Sequence, residues 1–480
     1  MESILNYING EFKPSSSNEW MDVYEPATGK KYAQLTNSNE QDVLKAIDAA
    51  EAAKDAWANL PQHKRSSYLF AMADAIDAAM EELALAETKD NGKPISLSKT
   101  VDIPRAAANF RYYAGAALHQ ESDAHDMGNL AFNYTLRKPL GTVVCISPWN
   151  LPLYLFSWKI APALATGNCV IAKPSEVTPL TAYLLTKIAD KVGLPKGVLN
   201  VIHGEGIRVG NTLSTHKKIK AVSFTGGTQT GSTIAGLAAP LFKKLSLELG
   251  GKNPNIIFAD APYEEMLTTT VRSSFSNQGQ ICLCGSRILI EESIYEQFKT
   301  DFVAKVKALQ LGSPYDKETS VGAVVSKSHQ AKILSCIDKA VAEGGTILLG
   351  GKKVTLAGEL AGGYYVEPTI IEGLSQQCAT NQEEIFGPVV TLAPFKTLEE
   401  AIEMANNNDY GLSASVWTSN QRTAHRVAKE VDAGMVWINT WLLRDLRTPF
   451  GGVKNSGVGR EGGKYALSFF TEPKNVCFSY

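Results

Sequence analysis

Two α/β domains, each a parallel sheet wrapped by helices, together with a small β element, form the fold class that the sequence predicts. Three observations lead there. The chain has 480 residues, too many for one simple hydrophobic core. From residue 134 onward short apolar runs alternate with helix-period segments, the pattern of a parallel sheet covered on both faces. A second series of the same kind follows, so that two such domains meet near residue 250.

The elements follow in order. The N-terminal part is predicted to be helical: Val43, Ala46, Ile47, Ala50, Ala53 and Trp57 recur at three- and four-residue steps, as do Leu69, Met72, Ile76, Met80 and Leu83 in the next helix. Asp102 is placed to cap a third helix with Pro104 in its first turn and Ile103, Ala107, Phe110 and Ala114 as its apolar stripe. Arg105 lies off that stripe. Buried strands are predicted at 141–147, 168–172, 221–224 and 255–258, with helices after Pro152 and over 179–192. The second series has a strand at 286–290 and helices at 295–309, 329–343 and 398–407. The glycine-dense stretch 449–463 reads as an ordered functional loop.

Composition removes several function classes. Apolar content of 44% and charged content of 20% belong to an ordinary folded protein. The formal charge of −2, from 47 basic and 49 acidic residues, offers no electrostatic case for nucleic acid or a membrane surface. No apolar run approaches the ~20 residues that cross a bilayer, and residues 1–20 are not a signal peptide. Seven scattered cysteines without repeated CxxC spacing argue against a disulfide framework or a metal site and for a reducing, cytoplasmic setting.

Four features carry chemistry. Gly204-Glu205-Gly206 with Gly210, and Gly226-Gly227-Thr228-Gln229-Thr230-Gly231, each sit between a strand and a helix, where backbone amides can approach a pyrophosphate. Neither matches GxGxxG, and either can be simply a tight turn. Cys282 ends the polar run Asn277-Gln278-Gly279-Gln280-Ile281 on a loop between helix and strand. A thiol there becomes a nucleophile if its pKa is lowered. Cys284 is the alternative, two residues on. Glu248, in Leu247-Glu248-Leu249-Gly250-Gly251-Lys252, is either an exposed strand residue or a desolvated carboxyl suited to activating water.

Phe275, Asn277, Gly279, Gln280, Cys282 and Arg287 resemble the cysteine signature of the aldehyde dehydrogenase superfamily, and 247–252 resembles its glutamate signature, 34 residues before Cys282. Pro148-Trp149-Asn150, Lys173-Pro174-Ser175-Glu176, Glu384-Ile385-Phe386-Gly387-Pro388 and Pro449-Phe450-Gly451-Gly452 extend the resemblance over essentially the whole chain. It implies the aldehyde dehydrogenase fold: a Rossmann-like NAD-binding domain at 1–118 and 140–250, a catalytic domain at 251–465, and a β oligomerisation element at 119–139 and 466–480 serving a homodimer or homotetramer. It also implies roles. Cys282 attacks the aldehyde, Asn150 and the Cys282 amide hold the oxyanion, and Glu248 activates water. Ser147, Trp149, Lys173, Glu176, Gly206, Gly210, Gly226 and Gly227 hold NAD, with Glu384 and Phe386 at the nicotinamide end and Glu176 disfavouring a 2′-phosphate. Glu461 resembles an acid used by some members in proton relay. The family's serine and glutamate in the second glycine segment are here Gly227 and Gln229, which costs one phosphate contact.

Arg444, in Asn439-Thr440-Trp441-Leu442-Leu443-Arg444, and Arg105 stand where the resemblance puts the substrate tunnel, with Leu153 and Trp158 as apolar wall. Guanidinium groups bind carboxylates in bidentate fashion, so the pair implies an aldehyde that carries a carboxylate. Both segments resemble those of 2-aminomuconic and 2-hydroxymuconic semialdehyde dehydrogenases of tryptophan or aromatic catabolism. Two alternatives stay open: a broad-specificity enzyme for neutral aldehydes, and a catalytically silent protein of the same fold.

Overall fold

A computed structural model describes residues 2–480. The opening differs from the helical expectation. Five short strands, Glu2–Ile4, Asn6–Ile8, Glu11–Lys13, Trp20–Glu25 and Lys30–Thr36, precede any helix. Such strands are too brief, and too often exposed on both faces, for an alternating pattern to stand out. The first helix, Glu40–Asn59, starts at a capping box in which the Asn39 side chain accepts from the Gln41 and Asp42 amides while Asp42 accepts from the Asn39 amide. The stripe from Leu69 to Leu83 is broken at Ala79 into Gln62–Ala78 and Met80–Asn91.

Asp102 is not a cap. It ends a π-helical turn, Ser98–Asp102, that runs without a break from Ile95–Leu97 into the helix Ile103–Leu118. Its carboxylate is engaged by Lys93 instead. The predicted stripe of the Ile103–Leu118 helix is nonetheless buried, and Pro104 does occupy the first turn.

The first large sheet holds five parallel strands in the spatial order Lys244–Glu248, Ile219–Thr225, Thr142–Ile146, Cys169–Lys173 and Leu199–Val201. The chain therefore starts in the middle at Thr142–Ile146, winds outward one way, then returns and winds the other way. All five residues of Thr142–Ile146 and of Cys169–Lys173 are buried, as helices on both faces require. Antiparallel strands close the edges: Asn6–Ile8 and Glu11–Lys13 on one side, Gly457–Val458 on the other. That last strand lies in the expected functional loop and within the 251–465 span, yet it hydrogen-bonds to the first sheet.

The second sheet has seven strands, among them Pro254–Ile257 between Arg287–Glu291 and Ser413–Trp417, all parallel except the edge strand Thr346–Leu349. Ile281, Leu283, Trp441 and Phe450 pack into the same hydrophobic core as the first sheet, so the two sheets meet around the Cys282 loop. A separate three-stranded sheet joins Ala124–Asp126, Ala131–Pro139 and Thr471–Ser479 and leaves Leu130, Phe478 and Tyr480 exposed. Among the described residues no helix is long and apolar enough to cross a membrane.

Candidate active site

The helix Tyr263–Phe275 ends in a turn whose three successive residues take positive φ: Asn277 (50°), Gln278 (56°) and Gly279 (70°). Left-handed backbone at a non-glycine residue costs about 1 kcal/mol or more, so the turn needs outside support. Its polar side chains provide it. The Asn277 amide donates to the Asn150 (2.9 Å) and Gln280 (3.2 Å) carbonyls, and the Gln278 amide to that of Ala323 (2.8 Å). The Gln280 amide donates to the Asn277 carbonyl at 3.2 Å and accepts the Val325 N–H at 3.0 Å. At Gly279 a Cβ would stand 2.1 Å from the Gly387 carbonyl oxygen, so glycine is required.

The next carbonyls are tied down as well. The Asn253 amide donates to Cys282 (2.7 Å) and Cys284 (2.9 Å), and the Trp441 indole to Leu283 (2.9 Å). The loop backbone is thereby held from every side. Cys282 lines a cavity of about 570 Å³, whereas Cys284 is buried behind it and does not reach the opening. This separates two thiols that sequence spacing alone left together. The surroundings push the Cys282 thiol up rather than down: burial is the main cause, and the carboxyls of Glu384 and Glu248 add to it. The lowering expected from sequence is absent.

Glu248 ends the strand Lys244–Glu248 and is 3% exposed, and neither carboxyl oxygen has a hydrogen-bond partner among the described residues. It is the desolvated carboxyl, not an exposed strand residue. Burial, followed by the nearby Glu461 charge, raises its pKa well above the usual carboxylate range. The 449–463 loop makes the pocket: Gly457 pairs with Glu248, and a Cβ on Gly451 would come within 2.7 Å of Glu248 Oε1. Glu461 accepts from the buried Lys159 ammonium (2.7 Å) and the Ser223 hydroxyl (3.1 Å).

Asn150 touches the Cys282 loop twice. Its side-chain amide donates to the Gln280 carbonyl at 2.9 Å, and its backbone carbonyl receives the Asn277 amide. One N–H of that side chain remains for an oxyanion. Lys93 (3.0 Å) and Asn91 (3.3 Å) donate to the same backbone carbonyl.

On the wall of the same cavity the two arginines expected from sequence come together on Tyr154. Arg105 lies 5.4 Å from the centre of its ring, and Arg444 donates to its hydroxyl at 3.0 Å. Arg105 Nε and Arg444 Nη2 are buried without partners, and neither arginine forms a salt bridge among the described residues. A third cation, Arg272, also lines the cavity, and no aspartate or glutamate does. Arg272 passed unnoticed in the sequence because it occupies an ordinary position near the end of a helix.

Two expected wall residues are misplaced. Leu153 is fully buried and does not line the cavity, while Leu151, Tyr154 and Leu155 do. Trp158 is also buried behind the wall, 5.2 Å beneath the Arg444 guanidinium. The reason is helical phase: Pro152–Ala165 is buried on all sides, so apolarity alone does not reveal which flank faces the opening.

The remaining expected residues gather at the carboxyl ends of the first sheet, where its winding direction reverses and dinucleotides bind in such sheets. Ser147 and Trp149 follow one central strand, Lys173 and Glu176 its neighbour, and Gly226 and Gly227 the strand on the other side. Lys173 pairs with Glu176 at 3.0 Å. Ser147 Oγ and Thr225 Oγ1 are buried without partners, and the helix Thr228–Ala238 begins at Gly227 with no side-chain cap and open space at that glycine. These orphaned donors suit a polyanionic dinucleotide. Gly206 and Gly210 lie farther out, on the helix Gly206–Thr215 after the strand Leu199–Val201. Glu384 accepts the Gly251 amide at 2.9 Å beside Gly250, and Phe386 (φ 60°) packs edge-on to Trp149 at 5.2 Å. Cys282, Glu248, Asn150 and the expected dinucleotide-binding residues thus share one junction between the sheets.

Comparison with known proteins agrees with this geometry. Residues 12–476 match the model of the aldehyde dehydrogenase family. The chain is 48% identical over 478 residues to a 2-aminomuconic semialdehyde dehydrogenase of Homo sapiens, covering 99% of this chain and 98% of that protein. It is 44% identical over 483 residues to a 2-hydroxymuconic semialdehyde dehydrogenase of Pseudomonas sp. (strain CF600), covering 99% of each. Among solved structures, the NAD+ complex of an aldehyde dehydrogenase from Bacillus cereus superposes with a TM-score of 0.97 at 40% identity, over 100% of this chain and 97% of that one.

Proposed function

We propose that this chain, which belongs to the aldehyde dehydrogenase family, uses NAD to oxidise an unsaturated aldehyde carrying a distant carboxylate: 2-aminomuconic 6-semialdehyde or its 2-hydroxy analogue. The observation that carries the substrate class is the cavity itself, which is lined by Cys282 and by Arg105, Arg444 and Arg272 with no acidic side chain. The relatives named above act on just such aldehydes.

In this reading the arginines receive the carboxylate and the aldehyde carbon meets Cys282 Sγ. Cys282 attacks as its thiolate, the thiol proton having passed to solvent, and gives a thiohemiacetal whose oxyanion takes the free N–H of Asn150 and the Cys282 amide, a contribution of about 3–4 kcal/mol in comparable sites. NAD, when bound, supplies the hydride acceptor that leaves a thioester on Cys282. Glu248 in its ionised form draws a proton from water, and the resulting hydroxide cleaves the thioester to the dicarboxylate. Lys159 holds Glu461 beside Glu248, giving that proton a polar outlet. Subunits pair through the exposed three-stranded sheet, whose Thr471–Ser479 strand has a free edge, as a homodimer or a homotetramer.

The test is a steady-state comparison of both muconic semialdehydes with neutral aldehydes of similar length, following NADH absorbance. A clear preference in kcat/KM for the acid-bearing substrates is expected. Equal turnover of neutral aldehydes would turn the reading toward a broad-specificity enzyme. Cys282→Ala should abolish the signal and Cys284→Ala should leave most of it.

A further inference from the structure

Behind the cavity wall lies a cluster of charges that the chemistry above does not use. Lys93, Glu87 and Asp102 are all fully buried. The Lys93 ammonium contacts the Asp102 carboxylate, stands 3.7 Å from Glu87, and donates to the Asn150 backbone carbonyl at 3.0 Å. Glu87 in turn accepts the Leu153 N–H at 3.3 Å and the Thr181 hydroxyl at 2.8 Å. Asp102 Oδ1 has no partner. Two carboxyls around one ammonium gain little net stability, because desolvation offsets most of the attraction. What such a cluster does supply is fixed geometry.

Its contacts lead to two parts of the site. Asn150 and Leu153 bracket the turn that carries the oxyanion donor and opens the helix bearing Tyr154. Asp102 closes the π-helical turn Ser98–Asp102, whose Thr100 and Val101 line the cavity, and Arg105 follows three residues later on the same continuous helix. A π-turn shifts the phase of the helix that follows. Here that phase turns Arg105 toward the cavity while Ile103, Ala107 and Phe110 face the core.

We infer that Lys93 is a positioning residue that holds the oxyanion donor Asn150 and the carboxylate-binding Arg105 in one register, with Asp102 setting the recognition part and Glu87 the chemical part. The inference rests on the acid-bearing substrate proposed above. It is tested with Asp102→Asn and Glu87→Gln in the full chain with NAD. Each substitution leaves Lys93 one carboxylate partner, so neither strands a buried charge.

Asp102→Asn should raise KM for 2-hydroxymuconic semialdehyde about tenfold while kcat stays within about threefold and neutral aldehydes are unaffected. Glu87→Gln should lower kcat for acid-bearing and neutral aldehydes alike, by about tenfold, without changing their ratio. Melting temperatures measured with NAD present check that both variants are folded. If the two folded variants change every parameter in parallel, or change none, the assignment is overturned and the cluster is only packing. The substrate reading fails separately, and visibly, if the unsubstituted protein shows no preference for acid-bearing aldehydes.

Discussion

The Arg444 guanidinium lies 3.9 Å from the centre of the Phe450 ring. With the Tyr154 hydroxyl bonded to Nη1, this contact holds the plane of the guanidinium and leaves Nη2 unpaired. A planar fork so held is prepared for a carboxylate, and an ammonium is not its equivalent. Arg444→Lys is therefore expected to raise KM for an acid-bearing aldehyde by about 10- to 100-fold, the value of ~1.5–3 kcal/mol for a charge-assisted hydrogen bond. Kinetics with a neutral aldehyde should stay near those of the parent. Equal loss on both substrates would mean that Arg444 serves packing alone.

Arg272 differs from the other two arginines in being exposed, stacked 5.7 Å from the Trp441 ring with Nη2 donating to the Trp441 carbonyl at 3.3 Å. An exposed cation acts over roughly a Debye length, ~10 Å at 0.1 M salt, and is screened beyond it. Arg272→Gln should lower kcat/KM for the anionic substrate about two- to fivefold at low ionic strength and flatten its salt dependence. A salt profile identical to that of the parent would remove any steering role.

Burial pushes both the Cys282 thiol and the Glu248 carboxyl upward, so each reaches its reactive, ionised form at a higher pH than a free side chain would. Deprotonation increases with pH; kcat/KM should accordingly climb from pH 6 toward pH 9 with no plateau near the usual carboxylate pKa of ~4.3. Glu248→Gln should cut steady-state turnover by about 10²- to 10³-fold. In the proposed mechanism Glu248 acts on the thioester, so a single-turnover burst of NADH should survive. Loss of burst and turnover together would move Glu248 to the first step.

Gly279 carries the tightest constraint in the nucleophile loop, with φ 70° and the Gly387 carbonyl where a side chain would begin. Gly279→Ala should displace Cys282 and cost upward of ~2 kcal/mol, from backbone strain together with overpacking. Thermal unfolding and kcat measured side by side check this. An alanine variant with parental activity would show that the loop tolerates rearrangement.

The separation of what could be read early from what could not follows from the range of the forces involved. Short-range patterns determined much by themselves. Apolar runs such as those at 142–146 and 169–173 are buried on both faces wherever they sit, so the parallel sheets were legible. The cysteine motif was legible because a strained buried loop needs particular residues, Asn277 and Gln280 to satisfy carbonyls and glycine at 279, whereas the glutamate motif was legible through its resemblance to a family signature.

Tertiary structure alone decided matters set by distance and phase. It put Cys282 in the cavity and Cys284 behind it, and it raised the thiol pKa through carboxyls that lie 34 residues before and 102 residues after it. It moved Asp102 from helix cap to ion cluster, turned Tyr154 rather than Leu153 to the opening, and added Arg272 to the cavity. Burial and electrostatic coupling depend on which remote segments are brought close, and no local pattern of residues encodes that.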